Sequence, residues 1–393
     1  MNVPNLRFPQ FKEPWMNYKA SELLTTVSTN SLSWEQLTYA PNSSFKNLHY
    51  GLIHNGFETT GITGQSNLLP YINPSFLPTK YTLIQDGDLI LADASEDRKD
   101  VGKPVEMLDV RNQKVVSGLH TIHAKNKTNL ISIGFKGFYF QSEAMKKQIF
   151  KIANGSKIFG ISATNFNELN MCIPSHPEQK IIVDLMGKIE SRIQTQIKII
   201  KELNLLIKAL RNKIFNNKNL IWLPLKDLTD NETIVLKRGN IIPKHNRDDT
   251  HIYPVYSSSI TNGGLMGYSD TYMFDKELIT WSIDGGGNFF YREKHKYSVT
   301  NVCGYMTIDE NLLNYTFVSN ALMWQHEHYK FDYQSKAHPS VIESMYKIPV
   351  LPLNKQIEYA KLFNHLYNKL KIEQTISSML SLQKTYLLKN MFV

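Results

Sequence analysis

Cysteine is nearly absent: Cys172 and Cys303 are the only two in 393 residues. With no CxxC, no HExxH and no Cys/His cluster, no structural zinc site and no metal ligand set is expected. Two isolated thiols suit a reducing compartment, where both are expected to be inert. No run of about 18 apolar residues occurs, so no segment is expected to span a membrane. The start, Met1-Asn2-Val3-Pro4-Asn5-Leu6-Arg7-Phe8-Pro9, has no apolar signal core. A cytoplasmic protein is the expectation.

Catalytic motifs are missing as well. There is no phosphate-cradling GxxxxGK and no GxSxG elbow. Asp284-Gly285-Gly286-Gly287 has the glycines of a phosphate loop at the wrong spacing, and it reads as a turn between strands. Asn73-Pro74-Ser75-Phe76 is one residue from the Asn-Pro-Pro-Phe/Tyr motif of enzymes that methylate base amines. The Phe-x-Gly-x-Gly loop that would hold S-adenosylmethionine is lacking, so it too reads as a turn. Glu293-Lys294-His295 fails the Glu-x-Lys of metal-dependent nucleases. No catalytic residue is assigned, and the chain is expected not to be an enzyme.

What is present is length, aromatic residues and positive charge. The length favours two or three domains, each able to bury a core. Hydrophobic residues are 42% and charged residues 20%, an ordinary globular mix, while aromatics reach 11%. A net charge of +9 points to an anionic partner, nucleic acid first and an anionic membrane surface second.

The chain also repeats itself. Ile173-Pro174-Ser175-His176-Pro177 and Ile348-Pro349-Val350-Leu351-Pro352 share Ile-Pro-x-x-Pro at an offset of 175 (349 less 174). Each is followed by a glutamine, Gln179 or Gln356, and by a long helical stretch. In the first stretch Ser175 is a candidate N-cap and Pro177 suits the first turn. A heptad seam follows through Ile182, Ile189, Ile193, Ile200, Leu203, Ile207, Leu210 and Ile214, with Met186 in step and Gln196 as the single break. About 40 helical residues make a rod of about 60 Å. The second helix is expected to start near Asn354, with Leu362, Leu366, Leu370, Ile376, Leu380 and Leu387 as its apolar set and a skip near Glu373. Two such rods bury their stripes most simply against each other, antiparallel. Ordinary helices packed on local sheets are the plainer reading.

Ahead of each helix lies a block of short strands and turns. In the first, strands are expected at 81–84, 89–92, 129–133 and 136–140, and a helix at 142–153. In the second, strands are expected at 252–256, 278–283 and 297–300, turns at 261–264 and 284–288, and a helix at 320–329. From Arg98 to Lys151 there are eleven Lys or Arg against four Asp or Glu. Candidate DNA contacts in block one are Arg98, Lys99, Lys103, Arg111, Lys114, Lys125 and Lys127. In block two they are Lys237, Arg238, Lys244, His245, Arg247, Ser257, Asn262, Tyr291, Arg292, Lys294 and Lys296. Basic residues supply sequence-independent affinity for phosphates, and polar loop residues read base edges. A merely solvated loop is the competing reading for each cluster.

This layout resembles the specificity subunit of type I restriction-modification systems. The resemblance rests on the opening Val3 to Phe11 with Trp15, on the two Ile-Pro-x-x-Pro segments with their glutamines and helices, and on Tyr253-Pro254-Val255-Tyr256-Ser257, Gly263 to Tyr268 and Asp284-Gly285-Gly286. It implies an α+β protein with two mixed α/β target-recognition domains, each followed by a long helix, the helices packing as an antiparallel coiled-coil spacer. The expected division is 1–155 for the first target-recognition domain, 156–217 for the first conserved region, 218–336 for the second domain and 337–393 for the second conserved region. Each domain would read half of a bipartite site in double-stranded DNA. The helices would set the gap and dock two modification subunits, and restriction subunits would join the full complex. S-adenosylmethionine, ATP and Mg²⁺ would sit on those partners and no cofactor on this chain. The alternatives are a DNA adenine methyltransferase component with decayed motifs, or a coiled-coil protein adaptor.

Overall fold

The computed structural model describes residues 3–41, 43–55, 62–63, 66–110, 112–243, 251–329 and 336–393. The chain forms two compact units, Met1–Gln196 with Ile376–Val393, and Ile197–Thr375. Each unit therefore holds one block and the opposite ends of the two long helices.

In the first unit, Leu24–Val27, Thr121–Asn126, Leu89–Ala92, Pro104–Leu108 and Ile62–Thr63 form a five-stranded sheet in that order. A second sheet orders Lys114–Ser117, Phe45–Leu48, Tyr71–Ile72 and Leu37–Thr38. The strands at 81–84 and 129–133 do not form. Leu83 makes one isolated bridge, to Val116. The expected strand at 136–140 is a helix, Phe135–Tyr139. The reason is tertiary: the buried Glu106 carboxylate accepts the Gly134 and Gly137 N–H groups, both at 2.8 Å, and so caps the turn. Gly134, at φ 89°, supplies the left-handed entry that favours glycine. The helix expected at 142–153 forms as Glu143–Ile152, capped by Ser142 Oγ, which accepts from Met145 N–H.

In the second unit, Ile234–Arg238, Cys303–Ile308, Leu278–Ser282 and Phe289–Arg292 form an antiparallel sheet. Beside it lies a sheet of Leu265–Ser269, Tyr253–Tyr256, Lys296–Val299 and Phe274–Asp275. The helix expected at 320–329 begins earlier, as Tyr315–His326, because Asn314 caps it by accepting from Phe317 N–H.

The long helices are His176–Phe215 and Leu353–Asn390. Ile182, Met186, Ile189, Ile193, Gln196, Leu203, Ile207 and Ile214 are buried, and Ile200 and Leu210 half-buried, as the heptad expects. In the first unit Ile182, Met186 and Ile189 join one core with Leu387, Met391 and Phe392. Lys384 also pairs there with Glu190 at 2.6 Å. In the second unit Ile214 and Phe215 pack with Phe363, and Leu210, Tyr359 and Tyr367 flank them. In both units the start of one helix meets the end of the other, so the pairing is antiparallel. The second helix departs from expectation in its seam. Leu362 is 49% exposed and Ile376 40% exposed. Its inward face runs instead through Gln356, Ala360, Phe363, Tyr367, Leu370, Glu373, Ser377 and Leu380. The step from 370 to 373 breaks the 3-4 alternation, which is the skip the sequence suggested. Asn354 lies inside the first turn, one residue after the helix begins, not at the cap. Among the described residues no helix is long and apolar enough to cross a membrane.

Candidate nucleic-acid interface

The two blocks rest on one scaffold used twice. Gln179 Oε1 accepts from Ser132 N–H (2.7 Å), and its Nε2 donates to the Leu130 and Pro174 carbonyls (2.9 Å each). Gln356 Oε1 accepts from Asn314 N–H (3.0 Å), and its Nε2 donates to the Leu312 and Leu351 carbonyls (3.0 and 2.9 Å). Each glutamine thus ties its helix start to the loop that follows the strand Thr121–Asn126 or Cys303–Ile308. A second pair repeats the device. Gln148 Nε2 donates to Asn170 O (2.9 Å), and its Oε1 accepts from Asn170 N–H (3.0 Å). Gln325 does the same with Lys347, at 2.8 and 3.0 Å. Both pairs stand at an offset of 177 (356 less 179, 325 less 148). The structural repeat is therefore two residues out of step with the Ile-Pro-x-x-Pro match, and Pro352 occupies the place of Ser175: the carbonyl of each accepts from the clamp glutamine's own N–H. Short strand pairs close each unit the same way, Met16–Lys19 with Asn170–Ile173 and Trp222–Pro224 with Lys347–Pro349. The opening segment joins the first unit through Arg7, whose guanidinium makes two 2.8 Å bonds to Glu178, and through Trp15 Nε1, which donates to the same carboxylate at 3.3 Å.

On this scaffold the candidate contacts divide into exposed and committed groups. In block one Lys99, Lys114 and Lys127 are exposed. Arg98 stacks on the Phe150 ring at 4.2 Å and donates to the Phe150 and Ala153 carbonyls. Lys103 donates to the His54 carbonyl at 2.9 Å. Lys125 reaches Asp88 at 2.8 Å, beside the buried His123, whose Nε2 lies 2.8 Å from the same oxygen. Burial works against the Asp88 charge, but these two hydrogen bonds, together with one from the Gln85 N–H and the nearby imidazole, outweigh it and hold the carboxyl below its ordinary range. Arg111, Lys244, His245 and Arg247 lie outside the described residues.

In block two Lys237, Arg238, Asn262, Lys294 and Lys296 are exposed. Lys296 sits over the Tyr272 ring at 4.8 Å, and Arg238 Nε donates to the Asn301 carbonyl. Ser257 and Arg292 are buried. Arg292 Nε donates to Thr280 Oγ1 (2.9 Å) and Nη2 to the Gly263 carbonyl (2.7 Å), with the guanidinium 3.7 Å from the Tyr256 ring. Burial pulls its pKa down from the ordinary value. Arg292 thus holds the turn 261–264 from beneath. Asn262, Gly263 and Gly264 all have positive φ there, and Asn262 is presented outward. Tyr291 is half-buried, and burial pushes its hydroxyl up to about 12. The two thiols are buried as well, which pushes Cys172 to about 11 and Cys303 to about 12. Lys146, Lys147 and Lys151, which are not among the candidates named from the sequence, are exposed as well. The sequence missed the Gln148 and Gln325 clamp. The available signal was glutamine placed 22 residues before each closing strand's first residue.

The doubled scaffold matches a known family twice. The model for the type I restriction modification DNA specificity domain matches residues 57–205 and 224–381. The chain belongs to the type I restriction-modification DNA specificity family. Each matched stretch of this specificity chain takes in most of a block and a large part of the helix that follows. Putative type I specificity subunits of Mycoplasma pneumoniae are 31% identical over 155 residues and 33% identical over 124 residues, which is 38% and 29% of this chain. The chain spans only 41% and 40% of those relatives' length. The S subunit of a type I restriction-modification system from M. genitalium superposes with a TM-score of 0.68 at 16% identity, over 100% of this chain and 99% of its own. A chain of a type I R-M system solved to address complex assembly and conformational transition gives 0.54 at 12% identity, over 96% and 98%. At these identities the superpositions speak for the fold.

Proposed function

We propose that this chain is the non-catalytic DNA-specificity subunit of a type I restriction-modification complex. Each block reads one half of a bipartite duplex site, and the paired long helices set the unread gap between the halves. The observation that carries this reading is the doubled glutamine scaffold at a constant offset beneath two blocks whose loops differ. One frame presents two unlike reading surfaces, as two different half-sites require. The exposed cations of both blocks suit phosphate contacts, and the Arg292-supported turn suits base-edge contacts by Asn262.

Modification subunits would dock on the long helices. In support, Met379, Leu382 and Tyr386 are exposed on the second helix, with Met379 64% and Leu382 67% accessible. The methyl donor, ATP and Mg²⁺ would be held by the partner subunits, and the complex would work in the cytoplasm, where the DNA is. The test is a methylome. The chain is expressed with a type I modification subunit from its own genome in a host lacking adenine methylation, and modified adenines are mapped by single-molecule sequencing. A bipartite motif that disappears when the chain is omitted is expected. A stable complex with unmethylated DNA would count against this reading.

A further inference from the structure

A groove of about 840 Å³ in the first unit lies between the 98–104 turn and the helix Glu143–Ile152. Arg98, Lys99, Lys103, Lys146, Lys147 and Lys151 line it, against the acids Asp100 and Glu143 alone. Part of this charge is already met. Lys147 pairs with Glu143 at 2.7 Å, and Lys389 approaches the same carboxylate at 3.7 Å. The bonds of Arg98 and Lys103 go to carbonyl oxygens, which orient these cations without neutralising them. Lys99, Lys146 and Lys151 are exposed. The Lys146 residue as a whole is exposed, yet atoms crowd round its amine, and this partial desolvation, then Lys384 and Lys103, make it lose a proton more readily than an ordinary lysine, with Asp100 opposing. A surplus of converging amines is the arrangement a multivalent anion relieves. Val101, Phe140 and Phe150 add an apolar floor against which a sugar or base can rest.

The doubled scaffold does not require these lysines. At an offset of 177, Gln148 has its counterpart in Gln325, but Lys146, Lys147 and Lys151 fall on Met323, Trp324 and His328. The glutamine belongs to the frame, and the lysines around it belong to this unit alone. We propose that the groove is a phosphate-ester site, taking either the backbone of bound DNA or a free nucleotide. The first source rests on the DNA-specificity reading and the second does not.

The test uses the full chain and the double variant Lys146→Ala/Lys151→Ala, with Lys146→Arg/Lys151→Arg as the charge-keeping control. Both positions are exposed on a helix where alanine is favourable, so an unchanged thermal midpoint is expected. Anisotropy is read with a labelled duplex of arbitrary sequence between about 50 and 200 mM salt, and with a fluorescent ATP derivative. If DNA is the ligand, the alanine variant flattens the salt dependence by about two units of slope, equally for all sequences, and the arginine variant restores it. If a free nucleotide is the ligand, ATP binding is lost in the alanine variant while the DNA slope stays. Unchanged slope together with unchanged or absent ATP binding overturns the site. Absence of DNA binding in the unsubstituted chain would instead sink the DNA-specificity reading, and the ATP arm would still decide the groove.

Discussion

Lys136 and Glu106 are both fully buried, 3.6 Å apart, in the core of the first unit. Burial disfavours both charges, lowering the Lys136 pKa and raising that of Glu106. Each is held by more than its partner. Lys136 Nζ donates to Asn126 Oδ1 at 2.6 Å, and Glu106 caps the 135–139 helix. Lys136, one of the eleven cations between Arg98 and Lys151, is thus an internal group and no DNA contact. Lys136→Met leaves a buried carboxylate without its cation and should cost about 3–5 kcal/mol in urea unfolding. A cost below about 1 kcal/mol would mean the pair is dispensable. His49 makes the opposite kind of statement. Burial, then the neighbouring His120, lowers its pKa to about 4, while the Trp34 ring lies tilted against it at 4.5 Å and Gly51 N–H donates to Nδ1. The unfolded chain protonates this histidine near 6.5 and the folded chain only near 4. Between those values the unfolded state binds more protons, so its contribution is full above 6.5 and is lost as pH falls toward 4. His49→Asn should therefore flatten the decline of the thermal midpoint between pH 6.5 and 4. An unaltered pH profile would remove His49 from that role.

At the scale of elements, the glutamine clamps decide where each long helix begins. Their partners are backbone groups, which cannot find substitutes once buried. Gln179→Ala strips Ser132 N–H and the Leu130 and Pro174 carbonyls of a partner, at a cost of about 2–3 kcal/mol. Gln356→Ala should match it in the other unit. Amide hydrogen exchange separates the two: Ser132 should lose protection in the first variant and Asn314 in the second. Loss at both amides in one variant would show that the clamps do not act locally. The heptad of the first helix was legible because its burial follows one register from Ile182 to Ile214. The second helix was legible as a helix but not in its facing. Its leucines are spread round the rod, and aromatic residues such as Phe363 and Tyr367 take the inward positions, where partners from the 315–326 helix meet them. The 135–139 segment misled for a related reason. Lys-Gly-Phe-Tyr-Phe carries strand propensity, and a carboxylate 28 residues away overrides it.

For the whole molecule the prediction concerns the gap between half-sites. If the paired helices set it, a matched seven-residue insertion in both, after Gln196 and before Ile376, keeps the seam in register and adds about 10 Å of rod, or about 3 base pairs. Methylome mapping should show both half-sites intact and the unread spacer longer. Altered half-sites with an unaltered spacer would contradict the ruler. The first compact unit is assembled from two separate stretches, Met1–Gln196 and Ile376–Val393, while the second, Ile197–Thr375, is continuous.

The two-block order, the two long helices, the first heptad seam and the positive charge follow from periodicity and composition alone, because these act locally and need no partner. The sequence also pointed to the glutamines after each Ile-Pro-x-x-Pro. Tertiary structure alone decided the true repeat offset, since hydrogen bonds and not matching letters set the register. It alone decided which cations face outward. Arg98, Lys125, Lys136 and Arg292 read like surface charge in the sequence, and carbonyls, carboxylates and aromatic rings from distant segments hold them inside or against the fold. A lysine's letter fixes its charge, but only the packed neighbours fix whether that charge is left for a partner.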